Sequence, residues 1–85
     1  MWFIYIVQCQ DNSLYTGITT DLKRRINEHN NTKKGSKYVK RRLPVKLMYF
    51  EKSVDRVNAS KREREIKGWR KEKKIELINM KKNCV

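Results

Sequence analysis

Two cysteines, one histidine, one proline and three glycines are scattered through 85 residues, and acidic groups number only nine. Cys9 and Cys84 lie at opposite ends with no C-x-x-C spacing. They do not form a disulfide framework on paper, and such usage points to a reducing, cytoplasmic compartment. A single histidine with two distant cysteines argues against a structural zinc site. Long apolar runs are missing too. The longest, Trp2 to Val7, is too short for a membrane span and lacks a basic segment before it, so it reads as neither anchor nor leader, and no membrane partner is expected.

What the chain does have is positive charge. Twenty-two Lys and Arg against nine Asp and Glu leave a formal charge of +13. An excess of that size repels itself and calls for an anionic partner. A nucleic-acid backbone fits best, because each neutralised phosphate releases counterions. The length allows one domain, expected over residues 1–80, with a basic tail at 81–85. Its core must be small, since a chain of this size buries only about 60–65% of its unfolded surface.

The segment Trp2 to Gln8 (WFIYIVQ) is apolar on both parities and rich in β-branched and aromatic residues, the pattern of a strand covered on both faces. Gln10-Asp11-Asn12-Ser13 is a turn cluster and Leu14 to Ile18 resumes strand character, so the two form a hairpin. Thr19, Thr20 or Asp21 can cap a helix running to about Asn30. A loop rich in Lys and Arg follows, to Arg42. Pro44 introduces a third strand, Val45 to Glu51. Ser53 or Asp55 starts a second helix to about Lys67, stopped by Gly68. Trp69 to about Met80 reads as a third, anchored by Trp69, Ile75 and Ile78. The order β-β-α-β-α-α describes an α+β fold with helices flanking a small, mainly antiparallel three-stranded sheet.

Several polar residues fall in apolar stripes. At about 100° per residue, Leu22 and Ile26 mark the inner face of the first helix, and Arg25 and His29 lie in or beside it. On the second helix Ala59 and Ile66 mark the inner face, and Glu63 lies in that stripe whereas Glu65 does not. Inward Arg, His and Glu are costly unless they pair, bind a metal or line a cleft. A salt bridge between Arg25 and Glu63 is one resolution, and a packed histidine another. Tyr5 and Tyr15 share a sheet face only if the hairpin loop has an odd number of residues, which places Tyr15 opposite Val7 and diagonal to Tyr5.

In order, "FIYIV" (Phe3–Val7), "YTG" (Tyr15–Gly17), "TDLKRRINEH" (Thr20–His29) and "SKREREIKGWRKEKKIELI" (Ser60–Ile78) resemble a small single-domain member of the GIY-YIG nuclease superfamily, among the short endonuclease-like proteins related to the catalytic domain of the nucleotide-excision-repair incision subunit. The resemblance implies a catalytic set of Tyr5, Tyr15, Arg25, His29 and Glu63. Glu63 would hold one divalent metal, Mg²⁺ or Mn²⁺. Arg25 would contact the scissile phosphate, and Tyr15 or Tyr5 would orient or deprotonate the water, with His29 as rival base or phosphate ligand. Phe3 stands where the family has its first glycine. Ile18 stands where some members have a lysine, which removes one cation from beside the second tyrosine.

Three functions compete. The first is a metal-dependent endonuclease on nucleic acid, DNA in preference to RNA, with DNA repair as a setting and a protein partner for targeting left open. The second is a non-catalytic nucleic-acid-binding module on the same fold. The third is a basic protein of ribosome or membrane surfaces, which the lack of a basic helix with a wide apolar face disfavours. Lys33, Lys34, Lys37, Lys40, Arg41 and Arg42 are expected to flank the phosphate backbone, with Tyr38 stacking on a base.

Overall fold

A strand apolar on both parities belongs in the middle of a sheet, and it is found there. In the computed structural model, which describes residues 1–31 and 44–83, β1 (Trp2–Gln8) lies between β2 (Leu14–Thr19) and β3 (Lys46–Ser53), antiparallel to both. The helices are α1 (Leu22–Asn31), α2 (Arg56–Lys67) and α3 (Lys71–Asn83). Element order and α+β architecture match the sequence expectation.

Successive side chains of β1 serve two different cores. Ile4 and Ile6 pack with Tyr49, Ala59, Ile66 and Ile78, so α2 and α3 cover that face. Tyr5 and Val7 pack with Cys9, Val45 and the α1 residues Leu22 and Ile26 on the other. α2 is capped by Asp55, whose side chain accepts from the Asn58 amide at 2.8 Å. A second tie runs from β3: the Tyr49 hydroxyl donates to Glu51, and Arg62 Nε donates to both Glu51 oxygens at 3.2 Å. Burial with a carboxylate beside it pushes the Tyr49 phenol up to about 12.

The third strand runs Lys46–Ser53 where Val45 to Glu51 is expected, and the last helix differs more. Ile75 does not anchor α3; it is 40% exposed, while Leu77 and Ile78 pack inward. At about 100° per residue the inward arc centres on Lys74, Leu77 and Ile78, which leaves Ile75 beyond its edge. α3 also begins at Lys71, after Trp69, and continues to Asn83. Nothing in Met80 to Asn83 breaks a helix, and basic residues suit a helix C-terminus.

The hairpin register decides whether a site exists. Gln8 pairs with Leu14 and Val7 with Tyr15, which leaves an odd number of residues in the loop. Asn12 takes up the turn at φ 69°, a conformation asparagine tolerates. Tyr15 is thereby placed on the face of Tyr5, and Tyr5 is opposite Gly17. The Tyr5 ring lies directly on Gly17: a Cβ at position 17 would stand 2.5 Å from its hydroxyl and 2.7 Å from Cζ. The ring is 1% exposed and has nowhere to retreat. Gly17→Ala should therefore cost about 1–3 kcal/mol by overpacking. Thermal melts should show most of that loss disappearing when the same change is made on a Tyr5→Leu background. An equal loss on both backgrounds would contradict the contact.

Candidate active site

Tyr5, Tyr15 and His29 form a triangle of rings. Their centroids are 6.5 Å apart for the tyrosine pair, 6.0 Å for Tyr5 and His29, and 5.7 Å for Tyr15 and His29, the last edge to face. The Tyr5 hydroxyl and His29 Nε2 are 2.9 Å apart in a buried hydrogen bond. The Arg25 guanidinium lies close enough to the Tyr5 oxygen to interact with it. The other His29 nitrogen, Nδ1, is buried and makes no hydrogen bond among the described residues.

This arrangement sets the protonation of both groups. Burial pushes the Tyr5 phenol up to about 12, against the pull of Arg25, so Tyr5 is a neutral donor at ordinary pH. Burial and the Arg25 charge push His29 down to about 4, so its imidazole is neutral. A neutral, fully buried histidine brings no positive charge to a phosphate. Its work is to hold the Tyr5 hydroxyl.

Arg25 itself is half-buried and pairs with Glu28 one turn on, at 3.4 Å. Glu63 pairs on its own helix with Lys67, at 3.7 Å, with side chains 23% and 48% exposed. The Lys67 ammonium in turn sits 5.8 Å from the centre of the Tyr15 ring. Burial, with the Lys67 charge nearby, pushes the Lys74 ammonium down.

The shared cluster is not built on one sheet face. α1 covers one face and α2 the other. Lys67, paired with Glu63, meets Tyr15 around the open edge of the sheet, where β2 is the outer strand. The Glu63 charge is felt at Tyr5, where it favours the neutral phenol. Lys67 escaped the sequence reading, although it lies four after Glu63, the spacing at which helical side chains meet. The basic segment Lys33, Lys34, Lys37, Tyr38, Lys40, Arg41 and Arg42 lies outside the described residues. A groove of about 880 Å³ runs beside α1 between Asp21, Asn30 and Leu47, but none of the five candidate residues lines it.

Comparison with known proteins identifies the family. The model of the GIY-YIG catalytic domain matches residues 1–76. The chain belongs to the GIY-YIG family. It is 53% identical over 77 residues to a UPF0213 protein of Desulfotalea psychrophila, covering 91% of this chain and 70% of that one. A UPF0213 protein of Staphylococcus saprophyticus is 49% identical, with 91% and 93% covered. The solution NMR structure of a UPF0213 protein from Bacillus halodurans aligns with a TM-score of 0.61 and 38% identity, covering 95% of this chain and 86% of that one. The GIY-YIG domain is a nuclease-type fold whose family generally acts on nucleic acid. Among the described residues no helix is long and apolar enough to cross a membrane.

The buried histidine has a signature in solution. Its folded pKa lies below the unfolded value near 6.5, so the unfolded chain binds the extra proton first as pH falls. Stability is complete above about pH 6.5 and should decline towards pH 4, by about 3 kcal/mol from this group. Melts at pH 7 and 4.5 should show that decline in the wild type and a flatter profile in His29→Gln. Parallel profiles would place the titration elsewhere.

Proposed function

We propose that this GIY-YIG protein is a metal-dependent endonuclease that hydrolyses phosphodiester bonds in DNA. The observation that carries the proposal is that Lys67, paired with Glu63 on α2, reaches the Tyr15 ring from across the sheet, while Tyr15 packs against the Tyr5–His29 hydrogen bond beside Arg25.

The donor set suits magnesium. Glu63 is a half-buried carboxylate whose pairing with Lys67 at 3.7 Å is too long for a hydrogen bond. Among the described residues no three His, Cys, Asp or Glu side chains gather into a cage. A single carboxylate completed by waters and phosphate oxygens is how Mg²⁺ is commonly held. Bound at Glu63, it would polarise the phosphate and steady the charge on the leaving 3′ oxygen.

The remaining work belongs to the side chains. Arg25, half-buried beside Tyr5, carries a planar fork of N–H donors whose shape matches phosphate oxygens, so it would contact the scissile phosphate. Tyr5, buried and neutral, fixes that fork from behind. Between the two tyrosines, half-buried Tyr15 is the one left to orient or deprotonate the attacking water, with Lys67 supplying the cation that Ile18 does not. Water forms the new bond to phosphorus and gives up a proton, through Tyr15 or directly, to solvent; the bond to the 3′ oxygen breaks, and that oxygen takes a proton from solvent.

Glu63→Gln tests the proposal. Nicking of supercoiled or branched DNA with Mg²⁺ or Mn²⁺ should fall by orders of magnitude, to the level with EDTA, while DNA binding persists. Because the Glu63–Lys67 pair is partly exposed, the melting curve should move by no more than about 0.5 kcal/mol. A folded wild type that binds DNA and cleaves no DNA or RNA substrate with either metal would leave the non-catalytic binding module in its place.

A further inference from the structure

The helix that carries Glu63 has two unlike flanks. With Ala59 and Ile66 pointing into the core, Arg62 and Glu65 fall on one side. That side is neutralised: Arg62 donates to Glu51 at 3.2 Å and to Glu65 at 2.6 Å, and stacks 5.1 Å from the Trp69 ring. The opposite side begins at Glu63 and Lys67, passes through Arg56 and Ser60, and ends at Arg64, Val57 and Lys61. Arg56, Val57, Ser60, Lys61 and Arg64 line a shallow groove of about 450 Å³. Among the described residues neither Lys61 nor Arg64 has an acidic partner, and both are exposed. Arg56 rests on the Trp2 ring at 5.7 Å.

We infer that this flank of α2 is a phosphate-backbone track, along which the bound nucleic acid leaves the site at Glu63 and Lys67 towards Arg56. The inference rests on the reading of that site as the place where a phosphodiester is held. Three features carry it. The cations Arg56, Arg64 and Lys67 lie along one side of the helix, with Arg56 and Arg64 two steps of about 6 Å apart and Ser60 between them. From Arg56 to Lys67 the strip is about 16 Å long, room for four to five nucleotides of duplex rise at about 3.4 Å each. The only carboxylate on this side is Glu63 itself, at the catalytic end, so the charge complements a polyanion everywhere except where a metal would stand. An anionic membrane fits less well, because Val57 alone among the groove residues is apolar.

The test compares two charge-matched double variants made in the Glu63→Gln background, where binding is read without cleavage. Lys61→Gln/Arg64→Gln removes two cations from the track; Lys23→Gln/Arg24→Gln removes two exposed cations from α1, on the other face. Affinity for a labelled 20-base-pair duplex is measured across a salt series, and melting curves establish that all variants fold. The track variant should weaken binding at least tenfold at low salt and flatten the log–log salt slope by about 1.8, at about 0.9 per lost phosphate contact. The α1 variant should change the slope by less than half as much. Equal effects from the two pairs would overturn the track. So would unchanged duplex binding together with lost binding to phosphatidylserine vesicles, which would assign the strip to a membrane surface. Absence of cleavage by the wild type counts against the nuclease and leaves these binding results standing.

Discussion

The Tyr5 ring needs the space over Gly17, and much of the site follows from that one close approach. Any side chain at residue 17 would push the ring off the central strand. With the ring seated, its hydroxyl reaches both His29 and Arg25 of α1. One glycine on the edge strand thus fixes how a helix on the same face presents its arginine. The first glycine of the family pattern carries no such duty here, since Phe3 occupies it and makes an edge-to-face contact with Phe50 6.1 Å away.

Burial turns this contact into electrostatics. Tyr5 and His29 are both almost inaccessible, and each is held in its neutral form from opposite directions. The hydrogen bond between them therefore joins two neutral groups beside the Arg25 cation. Glu28 offsets part of it, from a partly exposed position where screening is strong. On the other helix, the Glu51–Arg62–Glu65 network absorbs charge on the far flank and ties α2 to β3. The free positive potential is thereby concentrated on the side that carries Lys67.

Much of this was legible in the sequence, for definite reasons. Periodicity placed Arg25, His29 and Glu63 inward because Leu22, Ile26, Ala59 and Ile66 leave a narrow choice of inner face. The two-sided apolarity of Trp2–Gln8 marked a strand covered on both faces, which the structure puts at the centre of the sheet. The meeting of Tyr5 with Tyr15 was conditional, because hairpin register hangs on loop length and on Asn12 reaching positive φ. The Lys67–Tyr15 and Tyr5–Gly17 contacts were not legible. Each depends on how a helix or a ring crosses a strand, which no one-dimensional period encodes. Ile75 misled for a related reason: it is apolar but lies just outside the arc that the sheet covers.

The placement of Glu63 gains meaning from the sheet edge. A carboxylate on the covered face of α2 would be sealed under the sheet, and one on the outer face would be fully solvated. β2 is short and outermost, so a residue on the flank of α2 beside it is half-buried yet reachable from solvent. An ion and a phosphate can arrive there without opening the core. The same edge brings Lys67 from one side of the sheet over Tyr15 on the other. An outer strand of six residues is narrow enough for helices on opposite faces to meet around it, which is how a chain with so little core can bring side chains from two separate packing layers together.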